Sequence, residues 1–246
     1  MVGTDRLVHE RSKPFLGDIS VVCRNTIEQP FKQNMYLPKH FAASSPEDAD
    51  WLVQQYPLAQ LITMDQAHQW VCNPIPLIAQ GKLEAGSTLI GHVARANPVW
   101  RHEGPALAVF TGPQAYITPN AYPSKAEHHR VVPTYNYATV QVRGRLLASD
   151  ETAVKLGVVS QLTDRAEHGQ AKPWSVSDAP DDFVAANLRA IVAIEIRIES
   201  VTAKFKLSQN RNAGDQAGVR DYLAGKAVDD DAAAMLKMMH KTDTQN

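Results

Sequence analysis

The chain has 246 residues, of which 44% are hydrophobic and 21% are charged, and its formal net charge is -1 with a pI near 6.8. These values are typical of a folded globular protein. They exclude a disordered chain, a fibrous chain and nonspecific nucleic-acid binding through a global basic charge. The sequence has no run of about 18 apolar residues and no secretory signal pattern, so we expect no membrane span and, by default, a cytoplasmic location.

The chain is predicted to begin with an appendage. Residues 1–34 mix charge, proline and glycine without sustained periodicity, whereas more regular patterns start after them. We therefore predict one domain over residues 35–246. Its first element is a short helix, because Ser45 and Pro46 form a cap and a first-turn proline ahead of apolar residues, and Pro57 ends it.

Strand-like runs dominate the middle of the chain and are separated by turn residues. Two later runs, 138–146 and 193–200, alternate apolar and polar residues, which indicates strands with one wet face. Strands this closely spaced favour an antiparallel sheet, because parallel strands need a helix at each crossover. We predict a mainly β fold, a β-barrel with peripheral helices. The earlier runs are 58–64, 71–78, 87–94, 106–112 and 115–118.

Three further helices are predicted around this sheet. Asp150 is expected to cap one of them, and a second is expected to start near Pro180. Residues 229–241 begin with three aspartates and end with His240 and Lys241, which matches the charge preference of a helix dipole. This pattern predicts a C-terminal helix.

Motifs of the common catalytic classes are absent from the sequence. It contains no GxSxG, GxxxxGK[ST], HExxH, GxGxxG or paired CxxC pattern. No residue stands out as a catalytic acid or base, so the sequence leaves open whether the chain is an enzyme. We expect no metal site, because zinc needs three or four convergent ligands and the two adjacent histidines, His128 and His129, point to different sides.

Three polar clusters interrupt the apolar strands. They are "GHVARANPVW" at 91–100, "VVPTYNYATV" at 131–140 and "KFKLSQNR" at 204–211. Taken singly, the clusters are better explained as a surface ion pair, a turn with aromatic packing and a solvated strand end. Taken together, they contain the cations, the hydroxyl and amide donors and the flat apolar walls that a phosphate-bearing aromatic ligand needs.

These clusters also carry a family resemblance. Together with "MYLPKHF", "GPQAYITPNAY" and "AIVAIEIRIE", they occur in the order seen in the PaiB-type FMN-binding negative transcriptional regulators. The resemblance runs from Met35 to roughly Leu223, and its last motif is the most specific. Because this family is similar to pyridoxine-phosphate oxidase, the resemblance implies an FMN-binding split β-barrel, assembled as a homodimer with FMN between the subunits.

The resemblance also implies which residues bind the cofactor. The strand around Asn73 and Ile75 would line the flavin ring, while His92, Arg95 and Asn97 would approach the phosphate and the ribityl chain. The remaining residues would complete the pocket, and the last four of them would come from either the same chain or the partner subunit. They are Thr134, Tyr135, Asn136, Lys206, Gln209, Asn210 and Arg211.

Three functions stay open at this point. The leading one is an FMN-binding negative regulator of transcription; direct DNA binding is left open, because the chain has neither a helix-turn-helix pattern nor a basic stripe. The second is a small flavin-dependent oxidoreductase, in which FMN supplies the chemistry. The third is a barrel dimer without a cofactor, because the chain departs from the family pattern at four positions: Pro74, Ala121, Tyr135 and Gln141.

Overall fold

The computed structural model describes residues 35–226 and 229–243, so the predicted appendage of residues 1–34 lies outside the described residues. Seven strands of this part form one sheet, in which all neighbouring strands are antiparallel. The strands are β1 (Leu58–Met64), β2 (Trp70–Pro76), β3 (Ile78–Gln80), β4 (Thr88–Ala94), β5 (Gly104–Ile117), β6 (Thr134–Ser149) and β7 (Ile191–Lys206). Their order across the sheet is β2-β1-β5-β6-β7-β4-β3.

The two edge strands of this sheet are consecutive in the chain. Because β2 ends at Pro76 and β3 begins at Ile78, only Leu77 separates opposite edges of the sheet. The sheet therefore curls until its edges approach each other. Gly91 of β4 lies against this junction, where a Cβ would be 2.7 Å from both the Pro76 carbonyl oxygen and Leu77 Cδ2, so the close approach requires glycine. The predicted mainly β split barrel is confirmed.

The main core lies inside the curled sheet. Leu61, Phe110 and Val140 are fully buried, and they alternate along their strands with half-exposed residues of the outer face. Directly paired residues share a face, so the register places Ile62 and Leu107 together on the outer side. Each large apolar side chain that becomes fully buried stabilises the fold by about 1.5–3 kcal/mol.

Six helices of the described part surround the barrel: α1 (Pro46–Gln55), α2 (Ser124–His128), α3 (Thr152–Glu167), α4 (Asp181–Arg189), α5 (Ala213–Ala224) and α6 (Asp230–Asp243). The first, fifth and sixth helices add Leu52, Val219 and Met235 to the main core. In contrast, α3 covers part of the outer face, where Val158 packs on Ile90 and Ala193 in a second, small core. Within the described ranges, no helix is long and apolar enough to cross a membrane.

Most predicted elements are confirmed, with four differences. The predicted run 71–78 is divided at Leu77 into β2 and β3, which lie at opposite edges of the sheet. The runs 106–112 and 115–118 form one strand, β5, whose register shifts between Thr111 and Gln114. The prediction that Asp150 caps α3 is wrong, because the helix begins after Glu151 without a side-chain cap, and the Asp150 carboxylate binds cations instead. The helices α2 and α5 were not predicted, because neither has a clear apolar periodicity.

Candidate functional site

The ends of β6 and β7 bring the second and third polar clusters of the sequence together. Tyr137 of β6 pairs with Lys206 of β7, so the start of one strand lies beside the end of the other. The ammonium group of Lys206 donates to the Tyr135 carbonyl oxygen at 2.6 Å and to the Thr134 hydroxyl group. The structure therefore brings three predicted site residues together, because the Lys206 amine binds both Thr134 and Tyr135.

The turn after β7 adds an arginine to this group. Ser208 adopts a positive φ of 69°, and its hydroxyl donates to Asn136 Oδ1 at 3.1 Å. Gln209 closes the turn, because its side-chain oxygen accepts from the Leu207 amide at 2.6 Å. The turn directs Arg211 back towards the barrel, with its guanidinium carbon 4.6 Å from the centroid of the Tyr122 ring.

The remaining residues of this cluster differ in accessibility. Asn136 is fully buried, and its Nδ2 has no hydrogen-bond partner in the described part of the chain. We conclude that Asn136 positions the turn and does not face solvent. Asn210 is exposed at the tip of the turn, and Tyr135 is 55% exposed and packs edge-on against Tyr116 at 5.6 Å between ring centroids.

This end of the barrel carries an excess of positive charge. In the ranges that the structure describes, no carboxylate lies within salt-bridge distance of Lys204, Lys206 or Arg211. Partial burial lowers the pKa of the Lys206 amine, and the neighbouring charges of Lys204 and Arg211 lower it further. An anion bound here would relieve that repulsion. We refer to Lys204, Lys206 and Arg211 as the open cation cluster.

Arg95, in contrast, is fully engaged by its own chain. Its guanidinium group forms a bidentate ion pair with Asp150, in which the NH1 to Oδ2 distance is 2.9 Å, and donates to the carbonyl oxygens of Arg189 at 2.7 Å and Ile191 at 3.1 Å. Lys155 Nζ binds the same carboxylate at 2.8 Å. Hydrogen bonds from Arg95 and then Lys155 hold the pKa of Asp150 far below its usual value. The predicted contact of Arg95 with FMN stays a prediction. We refer to Arg95, Asp150 and Lys155 as the closed charge cluster.

His92 lies on the outer face of β4, beside an open cleft. This cleft has a volume of about 950 Å³ and lies between the ends of α1 and α3, with Pro57 and Pro76 in its wall. The Nδ1 atom of His92 is buried and has no hydrogen-bond partner among the described residues. Burial lowers the pKa of His92, so its imidazole is neutral at pH 7. No three His, Cys, Asp or Glu side chains of the described part converge as a metal site.

The other residues predicted around His92 face the inside of the barrel. Asn97 Nδ2 donates to Asn73 Oδ1 at 3.1 Å, and Asn97 Oδ1 accepts from the Val99 amide at 3.1 Å. Ile75 is 3% exposed and belongs to the main core. Asn73 and Asn97 are therefore brought together, but Ile75 can offer only its main chain to a ligand.

Within one chain the predicted residues form two separate groups. His92 pairs with Ala193 near the start of β7, whereas Lys206 ends that strand. Ala193 and Lys206 are thirteen residues apart, which corresponds to roughly 40 Å along an extended strand. One FMN molecule is too short to contact both His92 and Lys206 of the same chain.

The structure adds residues that the sequence prediction missed. They are Lys204, which belongs to the open cation cluster, and Tyr137, whose ring centroid lies 5.5 Å from Lys204 Nζ. Both lie on the same outer face as Lys206, since paired residues and residues two apart in a strand share a face. The period of two in "KFKL" was the signal that could have identified Lys204.

Comparison with known proteins identifies the family. Residues 35–200 match the family model described as "Putative FMN-binding domain". The chain belongs to this family. The family match confirms the resemblance seen in the motifs and indicates FMN as the cofactor.

Curated relatives cover most of the chain. The "Protease synthase and sporulation protein PAI 2" of Bacillus subtilis is 30% identical over 194 residues, which span 77% of this chain and 89% of that protein. An uncharacterized protein of Emericella nidulans is 30% identical over 223 residues, which span 75% of this chain and 88% of that protein. Among solved structures, the FAD and heme binding protein from Mycobacterium smegmatis aligns with a TM-score of 0.49 at 19% identity, over 67% of this chain and 72% of that chain.

Proposed function

We propose that the protein binds FMN with its phosphate group at the open cation cluster. The observation that carries this proposal is the convergence of Lys206 and Arg211, backed by Lys204, without a described carboxylate partner. A phosphate dianion that leaves water needs fixed charge-assisted donors, and without them it would cost several kcal/mol. The Thr134 hydroxyl adds a neutral donor, and the neighbouring tyrosines add an aromatic surface.

We further propose that FMN lies between two copies of the chain. The outer face of β1 and β5 presents Ile62, Met64, Leu107 and Val109, none of which is buried in the described part of the chain. A two-fold contact through this face buries apolar surface on both copies. It can also place the His92 cleft of one copy beside the cation cluster of the other, which would explain why the predicted residues lie far apart in one chain.

The first test is the absorption spectrum of the freshly purified protein, followed by titration of stripped protein with FMN and with riboflavin. Because riboflavin lacks only the phosphate, we expect FMN to bind about 10- to 100-fold more tightly, which corresponds to one or two charge-assisted hydrogen bonds. Equal affinity for both ligands would move the phosphate away from the cation cluster. If the purified protein shows no flavin absorption bands and the stripped protein does not bind added FMN, the whole proposal is refuted.

We propose an indirect regulatory role for the flavin-bound protein. It is supported by the family membership and by the relative in Bacillus subtilis, whose name refers to protease synthesis and sporulation. The net charge of -1 gives no general attraction to DNA, so we expect regulation through another component. Binding of the purified protein to DNA upstream of its own gene should equal binding to random DNA at physiological salt; a clear preference would instead establish a direct repressor.

A flavin-dependent oxidoreductase is the second candidate. The observation in its favour is the open cleft beside the neutral imidazole of His92, which leaves room for a second substrate. Bound FMN supplies hydride and electron transfer, and this chain would bind and orient the substrate. The test is anaerobic reduction of the FMN-loaded protein by NADH and NADPH, followed optically. A rate no higher than that of free FMN would count against this candidate.

A further inference from the structure

Tyr36 lies beside the open cation cluster with its ring in solvent. It is 82% exposed, more than any other large hydrophobic side chain that the structure describes. Its backbone is nevertheless fixed, because Lys204 Nζ donates to the Tyr36 carbonyl oxygen at 3.0 Å and the Ala43 amide donates to the Ala203 carbonyl oxygen at 3.2 Å. A fixed but exposed aromatic ring gains free energy when a flat ligand covers it.

Lys204 also orients the Tyr36 ring. The Lys204 ammonium lies 5.4 Å from the Tyr36 ring centroid and 5.5 Å from that of Tyr137, and the side chain is only 8% exposed. Lys206 Nζ follows at 6.0 Å from the Tyr137 centroid. Rings and cations thus alternate in one row on the outer face of the sheet. Such a preorganised row loses little side-chain entropy when a ligand binds along it.

The other tyrosines near the cluster have less surface to offer. Tyr122 is 2% exposed and lies under Arg211. Tyr135 already packs edge-on against Tyr116, and Tyr137 is half-buried between the two lysines. Tyr36 is therefore the ring with the largest free face next to the phosphate position.

We infer that Tyr36 stacks on the isoalloxazine ring of FMN and thereby makes this site selective for ligands with a flat ring. The inference rests on the proposed placement of the phosphate at Lys206 and Arg211. It extends that proposal, because it assigns the ring end of the ligand to a residue that the sequence analysis did not place in the cofactor site. Since the phenol of tyrosine is electron-rich and the flavin ring is electron-poor, the contact is both apolar and electronically matched.

The test compares Tyr36→Ala and Tyr36→Phe with the matched control Phe183→Ala, which removes an exposed ring on α4, and uses FMN and riboflavin as probes. Because a ring contact is common to both ligands, Tyr36→Ala should weaken both by the same factor, about 10-fold, as expected for loss of one stacked ring. Tyr36→Phe should keep the affinity within about 2-fold, since phenylalanine also stacks. Phe183→Ala should leave both affinities unchanged.

Flavin fluorescence gives a second readout that a merely structural role would not change. A stacked phenol quenches the excited flavin by donating an electron that then returns, whereas the ring of phenylalanine does not. We therefore expect brighter bound flavin in Tyr36→Phe than in the wild-type protein. This variant also keeps the inference testable if Tyr36→Ala folds poorly.

The outcomes separate the inference from the proposed function. If Lys206→Ala weakens FMN binding but both Tyr36 variants match the wild-type protein, the stacking role is refuted and the phosphate site stands. If Tyr36→Ala weakens the binding of FMN but not that of riboflavin, Tyr36 acts on the phosphate group, and stacking is also refuted. If the wild-type protein binds neither flavin, the proposed function fails and the inference fails with it.

Discussion

The open cation cluster and the closed charge cluster use the same residue types with opposite results. In the closed cluster, the carboxylate of Asp150 forms ion pairs with both Arg95 and Lys155, and two carbonyl oxygens accept further hydrogen bonds from Arg95. In the open cluster, no described carboxylate approaches Lys206, and its partial burial, followed by the nearby positive charges, lowers its pKa. A cation that is fully paired within the chain stabilises the fold, whereas a cation that is held without a partner is available to an anionic ligand.

The comparison changes the interpretation of the first polar cluster in the sequence. "GHVARANPVW" resembles a ligand-binding loop, but most of its polar groups are already engaged within the protein: Arg95 joins β4 to the residues around β6 and β7, and Asn97 caps the following turn. The Trp100 indole donates back to the Arg95 carbonyl oxygen at 3.1 Å. We therefore propose that the motif mainly connects these elements structurally; His92 is the member that faces an open cleft.

The largest expected effect is that of Lys206→Ala on cofactor binding. Loss of one charge-assisted contact should weaken FMN by about 10- to 100-fold, or about 1.5–3 kcal/mol, and leave riboflavin unchanged. Isothermal titration at constant pH measures both affinities. The matched control is Lys172→Ala, since Lys172 is exposed and distant in sequence from the cluster. Equal losses for FMN and riboflavin would show that Lys206 acts on the ring or on folding.

Arg95→Ala should produce the reverse pattern. Removing Arg95 leaves the Asp150 carboxylate and two carbonyl oxygens with fewer partners, so we expect the Tm to fall by several degrees. The FMN affinity, measured well below the Tm, should change little. The control is Arg197→Ala, which removes only an exposed pair with Glu195. A large loss of FMN affinity at an unchanged Tm would show that Arg95 binds the cofactor and that the two clusters do not differ in function.

As pH rises, the affinity for FMN should begin to fall at a lower pH than an ordinary lysine would cause. The pKa of Lys206 is lowered in the free protein and is raised again by a bound phosphate, so affinity is highest below the free-protein pKa and falls as pH rises through it. Below about pH 6 the affinity also falls, because the phosphate gains its second proton. Lys206→Arg should move the alkaline limit upward, since arginine stays protonated. An unchanged limit in this variant would show that another group titrates.

Salt should have the smallest effect and should act mainly on the open cluster. The Debye length falls from about 10 Å at 0.1 M salt to about 3 Å at 1 M, so part-exposed cations lose attraction for a phosphate. We expect FMN affinity to fall several-fold across this range, while riboflavin affinity and the urea midpoint of unfolding change much less. If FMN and riboflavin respond alike, the phosphate is not held by free cations.

Local pattern was enough to predict most of the sheet. The alternation in β6 and β7 identifies two strands with one wet face, because side chains in a strand point to opposite sides with a period of two. The turn residues between the runs indicated short connections, and short connections exclude parallel pairing because parallel strands need long crossovers. The sequence also showed polar residues in "TYN" and "KFK", and in the structure these two strand ends meet where Lys206 donates to the Thr134 hydroxyl group.

Which charges are paired could not be predicted from the sequence, since pairing depends on contacts between distant parts of the chain. Arg95 and Asp150 are 55 residues apart, and Lys206 and Thr134 are 72 residues apart. The period of a strand says which face a side chain occupies, but it does not say which other element lies there. The amino-acid pattern alone thus determined a curled antiparallel sheet with cationic strand ends, and only the tertiary structure decided that Asp150 neutralises one cation while Lys206 stays open to an anion.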